Sequence, residues 1–352
     1  NLGGFEVTSP ATVGGGARQR ERTVHRTDPR ERLLRFNGQL LPVYAGLTGL
    51  LWLLLILAGD TPFVAACHAM AVLSTSGISP VGGLGAAPSG LLGELMVFFF
   101  LFFAISRQTF GGGLRAGTFR GLGQDREFRM GLFALVAVPL LLFVRHWLGA
   151  YEVAEQQNFA AALRALWGSV FTVLSFLSTT GFTSTDWVEM SHWSGLETPG
   201  LILVGLAVIG GGVATTAGGV KLLRVFALYK HGMRELERLF YPSSVGGAGD
   251  MARLIRREGA HIAWVFFMLF AFSVVVVMAA LALTGLGFEK AMVLTVSALS
   301  TTGPLASVAA EAPILYNGLG DAAKMILAAT MVLGRLETLA IIAMLNPGFW
   351  RQ

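Results

Sequence analysis

Three short tracts hold the residues whose types and spacing could do chemistry: Ser74, Thr75, Ser76 and Gly77; Ser178, Thr179, Thr180 and Gly181; and Ser300, Thr301, Thr302 and Gly303. Each sets hydroxyls and a glycine inside apolar sequence, in the contexts LSTSGISP, LSTTGFTS and LSTTGPLA. An extended Ser-Thr-x-Gly segment aims backbone carbonyls at an axis, and rings of such carbonyls replace the hydration shell of a monovalent cation. Glycine permits backbone angles that a β-carbon forbids, so that consecutive carbonyls point the same way. The hydroxyls either tie the tract to the preceding helix or add oxygen ligands. No acidic residue lies inside a tract, which argues against a carboxylate ring for divalent ions and for carbonyl selection of K⁺ or a similar ion. The competing reading of one tract alone is a helix C-cap and turn. Three copies in matching settings favour the ion site.

The elements that must position these tracts follow from composition. The chain of 352 residues is 54% hydrophobic and only 13% charged, with a mean hydropathy of +0.64. Apolar runs at Leu40–Ala58, Gly90–Ile105, Met130–Leu148, Gly200–Gly212, Ile262–Leu286 and Ala322–Leu345 are read as spans, about 20 residues being needed to cross a bilayer. The class is a multi-span, all-α membrane protein. The single cysteine, Cys67, has no partner in the chain for a disulfide. The tract glycines lie 104 and 122 residues apart (181 − 77 and 303 − 181). Before each comes a span, a short turn and an apolar stretch: Pro62–Leu73, Phe159–Leu177 and Glu289–Leu299. These stretches are mostly too short to cross the membrane. Non-helical backbone at membrane depth is tolerated only where it is buried in protein or lines a cavity. The order is therefore span, pore helix, re-entrant filter loop, span, repeated around a central ion pore.

Charge sets the expected orientation. Arg18, Arg20, Arg22, Arg26, Arg30, Arg32 and Arg35 precede the first span. Arg107, Arg115, Arg120, Arg126 and Arg129 fill a second basic connection, and Lys221, Arg224, Lys230, Arg234, Arg238, Arg253, Arg256 and Arg257 a third. The connections bearing the tracts hold only Arg164 and Lys290. The positive-inside rule puts the basic connections in the cytoplasm and the filter loops outside. The net charge of +5 is thus a membrane signal, and no nucleic-acid partner is expected.

Two further features stand out. The segment GGGVATTAGG, with Gly210, Gly211, Gly212, Thr215, Thr216, Gly218 and Gly219, interrupts an apolar span. Each glycine costs a helix about 1 kcal/mol, so a non-helical, movable loop at mid-membrane is expected, with a hinge or a packing patch of small residues as the alternative. Lys221 follows, near the cytoplasmic mouth, and its neighbours Val220 and Leu222 rule out a Walker A loop. Arg335 sits within an apolar span, where a charge faces a bundle interior or water; a structural ion pair is its alternative role, and Glu337 points elsewhere. His68 is expected to be packed or hydrogen-bonded. Asp60, Asp186 and Glu189 either concentrate cations at the outer mouth or are ordinary solvated loop charges.

These tracts resemble the filter strands of the TrkH/KtrB-type (Trk/Ktr/HKT) superfamily of K⁺ transporters. VIGGGVATTAGGVKLLRV (Val208–Val225) looks like that family's broken helix with its intramembrane gate, and MVLGRLETLAIIAMLNPGFWR (Met331–Arg351) carries the LGRLE signature of its fourth repeat. The resemblance covers roughly residues 36 to 351. It implies four span–pore helix–span repeats, of which the chain holds three: repeat two over 36–127 with filter 74–79, repeat three over 128–257 with filter 178–183 and gate loop 210–219, and repeat four over 258–352 with filter 300–305. Residues 1–35 are expected to be the cytoplasmic connection from a first repeat lying upstream. The resemblance further implies K⁺ held at Thr75, Ser76, Thr179, Thr180, Thr301 and Thr302, an electrostatic role for Arg335 below the filter, and no organic cofactor. Homodimers, a cytosolic nucleotide-binding regulatory subunit of TrkA/KtrA type, membrane lipid and the bacterial inner membrane belong to the same expectation. The basic stretch Tyr229–Arg257 is a docking surface for that subunit or for anionic headgroups. Pro304, directly after Gly303, and ISPVGG after Ser76 and Gly77 depart from the family pattern.

The alternatives are a Na⁺-permeable or non-selective cation channel or symporter of the same fold, a secondary solute transporter with broken helices, and an intramembrane enzyme. Repeats that enter from one side are parallel rather than inverted, against the second. The third is disfavoured because no Ser–His or Asp–Asp constellation is expected in facing spans.

Overall fold

The computed structural model describes residues 29–106, 125–150, 159–187, 190, 200–213, 215–241, 260–310 and 312–336. Glu189, Glu337, the basic residues Arg18 to Arg26, Arg107 to Arg120 and Arg253 to Arg257, and the distal part of the Tyr229–Arg257 stretch lie outside these residues. Contacts divide the chain into two units, Asn1–Gly46 and Leu47–Gln352. Of the first unit only the opening turns of helix α1 (Pro29–Leu57) are described.

Every regular element among the described residues is helical. After α1 come α2 (Pro62–Leu73), α3 (Gly90–Leu101), α4 (Arg126–Ala150), α5 (Phe159–Leu177), α6 (Gly200–Ile209), α7 (Leu222–Phe240), α8 (Ala260–Leu283), α9 (Phe288–Leu299), the single turn α10 (Leu305–Val308) and α11 (Asp321–Leu336). Among the described residues three windows are long and apolar enough to cross a membrane: Leu40–Leu57, Arg126–Val144 and Ala260–Leu283. At 1.5 Å per residue, the 24 residues of α8 extend about 36 Å, more than the hydrocarbon core of about 30 Å.

The runs Gly90–Ile105 and Gly200–Gly212, expected as full spans, are shorter as helices. The first is a 12-residue helix that tightens into a 3₁₀ turn at Phe102–Ala104. The second ends at Ile209 after 10 residues, or about 15 Å, because the glycine segment follows. Within the Ala322–Leu345 run, α11 is described as far as Leu336.

The long apolar helices expose most of their side chains, and the most deeply buried apolar residues lie on short helices. Only 11% of the Leu40–Leu57 and Ala260–Leu283 windows is buried, with Leu53, Phe272, Val275 and Leu283 exposed; in a bilayer such faces meet acyl chains. Buried instead are Ala65, Ala69 and Val72 of α2, Phe171, Leu174, Phe176 and Leu177 of α5, and Ala291, Leu294 and Leu299 of α9. Helix α4 packs on α5, α8 on α9, α5 on α6, and α9 also on α11. Thr61 precedes Pro62, which starts α2 at the one helical position where a missing N–H costs nothing. The sequence order of long helix, short buried helix and hydroxyl tract thus becomes a set of tracts enclosed by apolar helices.

Candidate ion-conduction site

The three tracts end their helices in one way. Ser76 N–H donates to Ala71 C=O and Thr75 N–H to Val72 C=O; Thr180 donates to Ser175 and Thr179 to Phe176; Thr302 donates to Ser297 and Thr301 to Ala298. This pair of bonds is a Schellman C-cap, whose fifth residue must be left-handed and is usually glycine. Here it is threonine each time, at φ 50° for Thr75, 58° for Thr179 and 57° for Thr301. A β-branched residue there costs about 1–2 kcal/mol. The C-cap reading considered for a single tract thus holds for all three, and the cap falls two residues before the glycine.

Gly77 (φ 62°) and Gly181 (φ 85°) are also left-handed, so each of their tracts alternates hands as Thr, hydroxyl residue, Gly. Gly303 is not left-handed. Its carbonyl accepts hydrogen bonds from Tyr316 Oη at 3.0 Å and Ser297 Oγ at 3.3 Å. Tracts approach one another closely: a Cβ on Gly77 would lie 2.0 Å from Thr180 O, and one on Gly181 2.8 Å from Thr302 Cγ2. Thr302 Oγ1 donates to Thr179 C=O at 3.3 Å, joining the last tract to the middle one. Thr75, Ser178, Thr179, Thr180, Ser300 and Thr302 are fully buried, whereas Ser74, Ser76, Thr301 and Gly303 are half-buried.

The glycine segment breaks the helix between α6 and α7 and folds back on itself. Val220 N–H donates to Val208 C=O and Lys221 N–H to Ile209 C=O, closing the neck of the loop. A Cβ on Gly210 would lie 2.1 Å from Gly218 O, so only glycine fits at this crossing. Gly212 N–H donates to Ala104 C=O, and Val213 N–H to Glu127 Oε1 at 2.8 Å. The tip reaches all three tracts. Thr216 Oγ1 donates to Leu73 C=O at 3.0 Å, Gly218 N–H donates to Thr179 Oγ1 at 2.7 Å, and Gly218 Cα stands so close to Ser300 that a Cβ would lie 2.0 Å from its carbonyl oxygen.

Arg335 spans loop and tract. Its Nη1 donates to Thr216 C=O at 2.8 Å and its Nη2 to Ser74 C=O at 2.7 Å. Neighbouring Gly334 makes this approach possible, since a Cβ there would meet Leu299 O at 2.3 Å. Lys221, expected near the cytoplasmic mouth, is 5% exposed, has φ 83° and donates its ammonium to Ala217 C=O. It braces the loop from inside.

Asp60 departs from the solvated charge considered for it. It is 4% exposed, and its Oδ1 accepts the Ser89 N–H at 2.9 Å. His68 is hydrogen-bonded, as expected: Nε2 lies 2.8 Å from Ser79 Oγ and Nδ1 lies 3.8 Å from Asp60 Oδ2. Asp60, His68 and Ser79 lie in one turn, one short helix and one loop rather than in facing spans, and the 3.8 Å between His68 Nδ1 and Asp60 Oδ2 is not a hydrogen bond. Ser79 Oγ accepts the N–H groups of Val81 and Gly83, so it anchors the turn after its tract.

Sequence reasoning passed over Glu94, Ser297 and Tyr316. Glu94, with no exposed surface, accepts from Trp167 Nε1 (3.1 Å), Ser184 Oγ (2.8 Å), Thr185 N (2.6 Å) and Thr185 Oγ1 (2.8 Å). It pins the chain just after the middle tract. A lone carboxylate within an apolar run was its signal. Ser297 and Tyr316 carried no signal, because their role exists only through contact with Gly303. Tyr316 sits in the connection before α11, where burial raises its pKa above the usual tyrosine value despite the opposing Ser297 hydrogen bond.

Buried short helices that break at hydroxyl tracts, beside long apolar helices, define an all-helical membrane protein. The family model described as TrkH, cation transport protein, matches residues 129–347. The chain is 30% identical over 327 residues to the Trk system potassium uptake protein TrkH of Escherichia coli K12, covering 92% of the chain and 64% of the relative. It is 28% identical to TrkI of Halomonas elongata, covering 89% and 61%. The crystal structure of the potassium transporter TrkH from Vibrio parahaemolyticus superposes with a TM-score of 0.75 at 26% identity, over 92% of this chain and 66% of that one. The chain belongs to the TrkH family of cation transport proteins. It spans about 64% of the length of the curated TrkH relatives.

Proposed function

We propose that the chain forms three of the four walls of a K⁺ uptake path, with Thr75, Ser76, Thr179, Thr180, Thr301 and Thr302 presenting the carbonyls that select the ion. The observation that carries this reading is the left-handed threonine repeated in three tracts, all touched by one glycine loop. Relatives named as potassium uptake proteins support K⁺ as the ion. The loop 210–219 is the gate: in place it blocks the path beneath the tracts, and Arg335 both latches it and puts positive charge there. The protein sits in the bacterial inner membrane with its tracts facing outward, as the distribution of arginine and lysine supports. It works as a homodimer with a cytosolic nucleotide-binding subunit that moves the gate.

The test is radioactive rubidium and K⁺ uptake into liposomes containing the full gene product with its cytosolic partner. Uptake driven by a K⁺ gradient is expected, and no monovalent cation flux under these conditions overturns the proposal. Gly181→Ser should weaken discrimination of K⁺ from Na⁺, because its Cβ meets Thr302 Cγ2 at 2.8 Å and Pro304 Cδ at 3.1 Å with φ at 85°. Unchanged reversal potentials in mixed salts would count against the tract as filter.

A further inference from the structure

The three tracts are not equivalent, and the difference sits behind the last one. The Gly303 carbonyl accepts from Tyr316 Oη at 3.0 Å and from Ser297 Oγ at 3.3 Å. Ser297 Oγ also lies 2.9 Å from Thr302 O and 3.1 Å from Tyr316 Oη. Tyr316 Oη gives its proton to the Gly303 carbonyl, and the single Ser297 proton is shared between Thr302 O at 2.9 Å and Gly303 O at 3.3 Å. Among the described residues no side chain donates to the Gly77 or Gly181 carbonyl. Those glycines are left-handed, and Gly303 is not.

The sequence accounts for the asymmetry. The residue three before the first tract serine is Ala71 in the first tract, Ser175 in the second and Ser297 in the third. Alanine has no donor, and Ser175 Oγ has no partner among the described residues. Tyr316 reaches Gly303 because the chain turns at Pro304, forms α10 (Leu305–Val308), and comes back with Ile314 N–H donating to Ala306 C=O at 3.0 Å. Burial raises the Tyr316 pKa, so its phenol stays a donor across the physiological range.

We infer that Tyr316 and Ser297 are positioning residues that hold the Gly303 carbonyl out of the ion path, leaving that level of the filter one ligand short and thereby setting how strictly the protein discriminates K⁺ from Na⁺. The inference rests on the proposed filter and adds the residues that tune it. Fewer carbonyls around the ion weaken the field that replaces its hydration shell, and selectivity depends on the number of such dipoles.

The test compares the full gene product with Tyr316→Phe, Ser297→Ala and the double variant in mixed K⁺/Na⁺ reversal-potential measurements. Removing both hydroxyls frees the carbonyl to turn toward the ion. The Na⁺/K⁺ permeability ratio of the double variant should fall by about threefold, since discrimination is a difference of affinities and the added carbonyl favours K⁺ over Na⁺ by part of one ordinary hydrogen-bond strength. An unchanged or increased ratio, with K⁺ current intact, overturns the inference. Wild-type protein that passes no K⁺ overturns instead the function on which it rests. A structure of the wild-type protein in rubidium supplies a second test that needs no variant. Gly303 O beyond coordinating distance of every ion, with Gly77 O and Gly181 O facing the path, is expected; Gly303 O in direct contact with an ion refutes the assignment.

Discussion

Substituting Gly218 by alanine tests the contact between the glycine loop and the tracts. The added Cβ would stand 2.0 Å from Ser300 O, 2.6 Å from Ser300 C and 3.0 Å from Thr301 Oγ1. Ordinary contact begins at 3.4 Å, so loop and tract must separate by at least 1.4 Å (3.4 − 2.0). The obstacle is backbone, which cannot swing aside as a side chain would. Such a shift along the bond breaks the 2.7 Å hydrogen bond from Gly218 N–H to Thr179 Oγ1, at a cost of about 0.5–1.5 kcal/mol. With the residual crowding, the in-place loop loses about 1–2 kcal/mol against a displaced one, which multiplies the displaced population roughly 5–30-fold. If the loop is the gate, rubidium flux into liposomes without any cytosolic partner rises about fivefold or more. Gly205→Ala is the matched control, because a Cβ there meets nothing within 4 Å. Flux of Gly218→Ala equal to or below that of Gly205→Ala, at equal protein incorporation, refutes the gating argument.

Arg335→Lys keeps the charge but cannot fork between Thr216 C=O and Ser74 C=O; basal flux should rise and the melting temperature in detergent should fall, and wild-type values for both would refute the latch. Thr301→Gly removes left-handed strain at a residue whose Oγ1 has no partner among the described residues, so it should stabilise the protein by about 1 kcal/mol. Thr179→Gly should show no such gain in the same thermal denaturation assay, because it also deletes the acceptor of the Gly218 N–H. Glu94→Gln turns an acceptor of four hydrogen bonds into a group with one oxygen and one amide donor; a destabilisation of about 1.5–3 kcal/mol is expected, read as a lower melting temperature.

Much of this was legible in order along the chain. The spans follow from local composition, the tracts from their recurrence, and the break after Ile209 from glycine density, because each depends on neighbouring residues alone. The burial of Asp60 and of Lys221 was not legible, because both are charged residues in connections and are covered by what folds over them. Glu94 was visible as a lone charge in an apolar run, but its partners Ser184 and Thr185 lie about 90 residues away.

By itself, then, the sequence determined that this is a helical membrane protein with three hydroxyl tracts at the ends of short helices and one helix interrupted by glycines. Helix propensity, hydropathy and the demand that backbone polar groups be satisfied act over a few residues and can be read there. Tertiary structure decided which tract touches which. Arg335 meets Ser74 across 261 positions and Thr216 across 119, the loop finds the tracts, and Tyr316 finds Gly303. Such contacts depend on how helices pack around one another, and no local pattern encodes a packing distance. Similar tracts therefore read as copies in sequence, while the hydroxyls behind Gly303 make the last of them different in space.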